Sequence, residues 1–168
     1  MARETIGFQE HARVTGILEA FERRVGETAW KPVLRQHNLI TNAGWASLAQ
    51  ALTGLGATSY QYFAWGDGTT APSLTRTAAD FYSDCANYDT KAVSSGGSID
   101  AFNTTTLTQK WNVYLTATDN AVANIKKIAF MNDDPGTIMW NEIKLTSTLP
   151  KDETIERYFR YTLTFQQA

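Results

Sequence analysis

Tyr158-Phe159-Arg160-Tyr161-Thr162-Leu163-Thr164-Phe165 is the stretch that decides the fold. Phe159, Tyr161, Leu163 and Phe165 fall on one face, and Tyr158, Arg160, Thr162 and Thr164 on the other. That period of two is the mark of a strand with one side buried. Working back along the chain, Trp111, Val113 and Leu115 alternate in the same way with Asn112, Tyr114 and Thr116. Residues 125–131 and 138–146 form two further apolar runs, separated by the turn formers Asn132-Asp133-Asp134-Pro135-Gly136, and pair naturally as a hairpin.

The N-terminal half repeats the theme. Residues 13–24 carry Val14, Ile17, Leu18 and Phe21, with an alternation imperfect enough to leave a helical reading open beside the strand. Val25-Gly26-Glu27-Thr28 supplies a turn, and residues 30–41 a second strand with Pro32 near its start, where a missing N–H is tolerated. Residues 42–54 are the one convincing helix: Asn42 or Thr41 can cap it, Trp45, Leu48, Ala49 and Leu52 share a face, and Gly54 closes it. A strand follows at 60–65. Residues 74–110 read as a long connection with one or two short strands. Successive strands and a single helix predict a mainly β protein, an antiparallel β-sandwich with one short α-helix.

At 168 residues the chain fits one sandwich domain, residues 13–168, preceded by a polar N-terminal arm, residues 1–12, whose only large apolar side chains are Ile6 and Phe8. A hydrophobic content of 43% with 19% charged residues is that of a folded domain, not of a disordered chain. The formal net charge of -2 provides no broad basic field, so nucleic acid is not an expected partner. Arg23-Arg24 and Lys126-Lys127 read as solvated strand edges. The single cysteine, Cys85, rules out an internal disulfide and reads as an inert buried or half-buried thiol. No apolar h-region follows the start, and no apolar run approaches the ~18 residues of a membrane span. The sequence predicts a soluble protein made in a cytoplasm, with no membrane partner.

The candidate chemical patterns each lack a part. Gly66-Asp67-Gly68-Thr69-Thr70 suggests a phosphate loop, but no Lys follows its second glycine, and Ala71-Pro72-Ser73 does not open an amphipathic helix. Asp67 is expected instead to order its own turn. Asp133-Asp134-Pro135-Gly136 lacks the alternating ligands of a calcium loop. His11 and His37 sit on separate segments with one cysteine in the whole chain, too few ligands for a zinc site. No G-x-S-x-G elbow is present. The scattered aspartates and glutamates neither establish nor exclude a facing pair of the glycosidase kind. No enzyme and no cofactor is expected.

The aromatics are the better lead. Five Trp, seven Tyr and eight Phe make up 12% of the chain, enough to fill a core and leave some for subunit interfaces or for stacking on sugars. Trp30, Trp65 and Trp140 lie near turns and are the tryptophans expected to be partly exposed. With Ile6 and Phe8 of the arm, they are the candidate assembly-interface residues.

Two signatures carry a family resemblance: His37-Asn38-Leu39-Ile40-Thr41-Asn42-Ala43-Gly44, and Tyr62-Phe63-Ala64-Trp65-Gly66-Asp67-Gly68-Thr69-Thr70-Ala71-Pro72-Ser73. Their order, followed by paired strands and an F-x-Y-x-L-x-F end, resembles a family of small tailed-bacteriophage structural proteins with N-x-[IV]-T-N-x-G before G-x-G-T-T-x-P. The likeness covers residues 34–80 well and the later strands loosely. It departs from the family's I-x-E-x-G-[LIF]-F strand, for which this chain has Ile125-Lys126-Lys127-Ile128-Ala129-Phe130, so a different local pairing is expected there. The resemblance implies a virion location, on the tail or next on the capsid surface. It implies partners that are copies of the same chain and other virion proteins. A carbohydrate-binding receptor-recognition module is the alternative, with a glycan as its partner.

Overall fold

The computed structural model describes residues 12–53, 60–134 and 136–167. Ile6, Phe8 and His11 lie outside them. The chain runs Ala12–Arg24 (β1), Lys31–His37 (β2), Leu39–Ile40 (β3), Asn42–Thr53 (α1), Tyr62–Gly66 (β4), Ala78–Asp84 (α2) and Tyr88–Ala92 (β5). It continues through Val93–Gly96 (α3), Gly97–Ile99 (β6), Thr108–Leu115 (β7), Asn124–Met131 (β8), Met139–Pro150 (β9) and Ile155–Gln167 (β10). Two antiparallel sheets pack together, one in the order β2-β1-β10-β7-β6 and the other β3-β9-β8-β4-β5. This is the β-sandwich that the alternation predicts.

Strand β10 is the spine of the first sheet. It pairs with β1 from Ala12↔Gln167 to Arg24↔Ile155 and with β7 on its other side. Its inward residues Phe159, Tyr161 and Leu163 meet Leu18, Phe63, Trp65 and Phe130 in the core between the sheets. Residues 13–24 are therefore strand, and the 3.6-residue alternative falls away because Leu18 and Ala20 are buried together on one side.

The second strand of the sequence reading divides at Asn38. His37 still pairs with Ile17 in the first sheet, while Leu39 pairs with Glu142 in the second. The chain thus crosses from one sheet to the other along one side of the sandwich. It crosses back along the opposite side through β5, α3 and β6. Each seam is bridged by a side chain. The Gln36 amide donates to Lys144 O at 2.8 Å and accepts from Thr146 N–H at 2.9 Å, standing in for a strand partner of β9. Lys91 Nζ donates to Tyr114 O at 3.1 Å and pairs with Asp119 at 2.6 Å. Both devices blunt edges that are otherwise free to pair with other chains.

Residues 74–110 differ from expectation. They contain two short strands, but also α2 and α3, so the described residues hold three helical segments rather than one. Helix α2 opens on a capping box in which Thr77 Oγ1 accepts from Asp80 N–H at 3.3 Å and Asp80 accepts from Thr77 N–H at 2.7 Å. It covers the outer face of the second sheet, where Phe81 and Cys85 pack on Ala64, Ala129, Met131 and Met139.

Helix α1 is capped by Thr41, whose hydroxyl accepts Gly44 N–H at 3.1 Å and donates to Met139 O at 2.6 Å. The helix faces the sheet through Gly44 and Ser47, both buried, while Trp45 points outward at 41% exposure. That corrects the expected place of Trp45 on the packing face; Leu48 is half-buried, and the side chains of Ala49 and Leu52 lie outside those described. The cause is close approach: a Cβ on Gly44 would lie 2.2 Å from Trp140 O, so only glycine lets the first turn sit on β9. Trp140 Nε1–H in turn donates to Gly44 O at 3.0 Å.

Candidate interaction surface

Both family-like signatures resolve into internal fastenings. In the first, Asn38 turns the corner between sheets, Thr41 caps α1 and Gly44 seats it. In the second, Gly66 and Gly68 make room for the end of α2: a Cβ on Gly66 would lie 2.4 Å from Cys85 Sγ, and one on Gly68 2.4 Å from Asp84 Oδ2. Asp67 accepts from Asn87 N–H at 3.0 Å and Asn87 Nδ2–H at 2.7 Å. The expectation that Asp67 orders its own turn is therefore corrected, since it chiefly ties that turn to a segment twenty residues away. Burial presses its carboxyl upward, but the Asn87 donors and the Ala86 N–H outweigh it and hold it below the usual range.

Beneath this clasp lies a buried ionic cluster. Lys127 is fully buried, and its ammonium bonds Asp84 and sits 3.0 Å from Glu142 Oε1. Arg76 Nε lies 2.6 Å from Glu142 Oε2, and its Nη2 3.8 Å from Asp84. The contacts to Glu142 are ionic and off the hydrogen-bond axis. Thr70 adds its N–H and hydroxyl to Asp84. Two cations and two carboxylates balance, which is what permits such charges in an apolar setting. Burial raises the Asp84 carboxyl, yet the Lys127 and Thr70 bonds overcome it and bring it down to about 2. The reading of Lys126-Lys127 as a solvated edge is corrected here for Lys127. Where the family-like strand has an acid, this chain has Lys127, and Glu142 and Asp84 supply the acids from β9 and α2.

Cys85 packs at the same junction, 7% exposed, with its thiol pushed up by burial. It is buried, as the sequence reading expects. Among the described residues no group of three or more His, Cys, Asp or Glu side chains is placed to hold a metal ion.

The outward face of the first sheet is different in kind. Across it runs an aromatic row, Phe21 (β1), Tyr158 (β10) and Tyr114 (β7), in direct register. Tyr114 and Tyr158 stack at 4.6 Å and 9°, Phe21 and Tyr158 at 5.2 Å and 21°. Trp30 lies against both tyrosines at 6.1 and 5.8 Å, and the Arg23 guanidinium covers its ring at 4.5 Å. The next row is polar: Arg35, Glu19, Arg160, Asn112 and Ser98 in register. Tyr158 Oη joins the rows, donating to Asn112 Oδ1 at 2.6 Å and accepting from Arg160 Nε at 2.9 Å. Burial among the rings raises the Tyr158 phenol above its ordinary value, with Arg160 pulling the other way. Tyr114 remains 39% exposed. Such a surface offers flat rings beside directional hydrogen-bonding groups.

Of the three candidate interface residues that are described, Trp30, Trp65 and Trp140, Trp30 alone falls on this surface. Trp65 is fully buried and Trp140 is 3% exposed, which overturns the expectation that tryptophans near turns are partly exposed. Both point into the core because they hold inward positions of β4 and β9, and nearness to a turn does not change that parity. The residues missed were Phe21, Tyr114 and Tyr158. The signal was present, since Tyr114 and Tyr158 are the aromatics on the polar faces of alternating strands.

Comparison with known protein families, with curated proteins and with solved structures finds no match to this chain. Among the described residues no helix is long and apolar enough to cross a membrane.

Proposed function

We propose that this chain is a non-enzymatic structural component of a tailed-phage virion, on the tail in preference to the capsid surface, acting through contacts made by a rigid sandwich. One observation carries the reading. The residues that distinguish both family-like signatures, Asn38, Thr41 and Gly44 in one and Gly66, Asp67, Gly68 and Thr70 in the other, hold the chain's own elements together. A family whose signature is fastening chemistry has a shape as its product. The bridged seams fit that role, because a body packed in many copies must not pair at random edges. The test is protein chemistry on purified tailed particles from a culture that expresses the chain. The chain is expected in fixed multiple copies that survive high-salt washing; its absence from the particles refutes the proposal.

The aromatic sheet face favours a second reading, a glycan-binding receptor module. It predicts that saccharides change tryptophan fluorescence in the wild type and that Trp30→Ala with Tyr114→Ala removes the change. A wild-type spectrum indifferent to a panel of host surface glycans ends it.

A further inference from the structure

Among the described residues, an open strand flank of β1 lies beside a cleft that is mainly apolar. Strand β2 leaves the first sheet after His37, which pairs with Ile17, and the last bond on that side is Asn38 N–H to Gly16 O at 3.2 Å. Strand β1 continues back to Ala12 with β10 on its other side alone. The orientation of its peptide groups follows from two bonds. Gly16 O faces β2, so Val14, two residues earlier, faces the same way. Phe165, opposite Val14, sends its N–H the other way, to Leu107 O at 2.9 Å. The N–H and C=O of Val14 therefore point away from β10, with no strand partner among the described residues.

Next to this flank lies a cleft of about 370 Å³ lined by Val14, Gly16, Asn38, Ile40, Trp45 and Leu74. Trp45 and Leu74 are 41% and 47% exposed. Val14 and Ile40 belong to the margin of the inter-sheet core. A strand laid along β1 would send every second side chain into this cleft.

The occupant with the matching pattern is the segment of eleven residues that precedes β1. Ile6 and Phe8 are two apart, so in an extended strand both point to one side. Fold-back within one chain that keeps Phe8 in the strand would have to turn within Gln9-Glu10-His11, which holds none of the Gly, Asn, Asp or Pro residues that tight hairpins favour. A separate copy has no such constraint, and eleven extended residues reach about 36–40 Å, enough to pass between bodies. We propose that residues 1–11 of a second copy add as a strand to the Ala12–Gly16 flank of β1, with Ile6 and Phe8 seated in the cleft. The proposal deepens the assembly reading above and rests on it.

The test uses the full chain and three forms: wild type, Ile6→Asp with Phe8→Asp (donor blocked), and Val14→Pro (acceptor blocked). Proline at 14 removes the outward N–H and leaves the pairing with β10 intact, which sheet edges tolerate. Light scattering should give at least twice the 18.7 kDa of one chain for the wild type and the single-chain mass for each variant, with unchanged circular dichroism. Mixing the two variants should restore a two-chain species, since one brings a sound donor and the other a sound acceptor. Hydrogen exchange at the Val14 amide should be slow in the wild type and fast in the donor-blocked form. A monomeric wild type overturns the proposal, whether Val14 is protected by its own chain or exchanges freely. Failure of the two variants to complement also overturns it. Should Val14→Pro unfold the sheet, the donor-blocked variant decides alone, because its changes fall outside the described strands. A chain present in particles but monomeric in solution would sink this inference and leave the structural role standing.

Discussion

Replacing Lys127 by methionine should destabilise the protein by about 3–5 kcal/mol, the range for removing one partner of a buried ion pair. The Glu142 side chain has no exposure, and its carboxylate meets two cations, Lys127 at 3.0 Å and Arg76 at 2.6 Å. Methionine keeps most of the volume of the lysine stem, so packing changes little and the loss is electrostatic. Arg76 then faces two carboxylates, one of them with no access to water. For a chain of this length each kcal/mol moves Tm by about 2–4 °C, so the expected drop is about 6–20 °C. Urea unfolding followed by tryptophan emission reads it, since Trp65 and Trp140 are buried and report global opening. The double variant Lys127→Met with Glu142→Met removes the stranded charge and should recover much of the loss, because a buried ion pair replaced by apolar groups is close to neutral. A single-variant loss below about 1 kcal/mol at unchanged m-value would refute the claim that this cluster holds the second sheet to α2.

Three further outcomes follow from the same geometry. Asp84, held down to about 2 in the folded state, contributes stability that is fully present above its unfolded value near 4 and is lost as pH falls through about 2. After screening at the loop rim the loss is about 1–2 kcal/mol, and Asp84→Asn should flatten that limb of a pH–stability titration. Gln36→Ala removes the amide that bridges to Lys144 and Thr146, which costs about 1–3 kcal/mol and should speed hydrogen exchange at the Thr146 amide. Gly66→Ala drives a methyl group to 2.4 Å from Cys85 Sγ and should cost about 1–3 kcal/mol; adding Cys85→Ala should return part of it, and strict additivity in the double-mutant cycle would disprove the contact.

The strands were legible where one face is buried and the other wet. β10 and β7 announce themselves through alternation, and the two seams between sheets do not, because the crossing at Asn38 interrupts no hydrophobic run. Strand β8 shows the limit of the period-two rule. Ile125, Lys127, Ile128, Ala129, Phe130 and Met131 are all buried, since α2 covers the face that solvent would otherwise occupy. Helix α2 itself left a local trace in Thr77-Ala78-Ala79-Asp80, a capping box with aspartate as its acid, but at seven residues it shows too few turns to reveal a periodic face. The candidate surface was half visible. Trp30 was found by its place near a turn, and the same argument failed for Trp65 and Trp140, because inward or outward position follows strand parity.

A glycine-rich loop, a lone thiol, two lysines in tandem and several aspartates are the raw material of an active site. Here the loop glycines admit Cys85 and Asp84, Lys127 neutralises Asp84 and Glu142, and Asp67 holds Asn87. Asp67, Asp84, Lys127 and Glu142 thus each meet a partner inside the fold; the pairing lowers the Asp84 carboxyl, while burial raises the Cys85 thiol. The chemistry of the clasp is thus directed at rigidity. In the structural role proposed above, that rigidity would hold one surface fixed: the row of Phe21, Tyr158 and Tyr114 under Trp30, with the open flank of β1 in the same sheet.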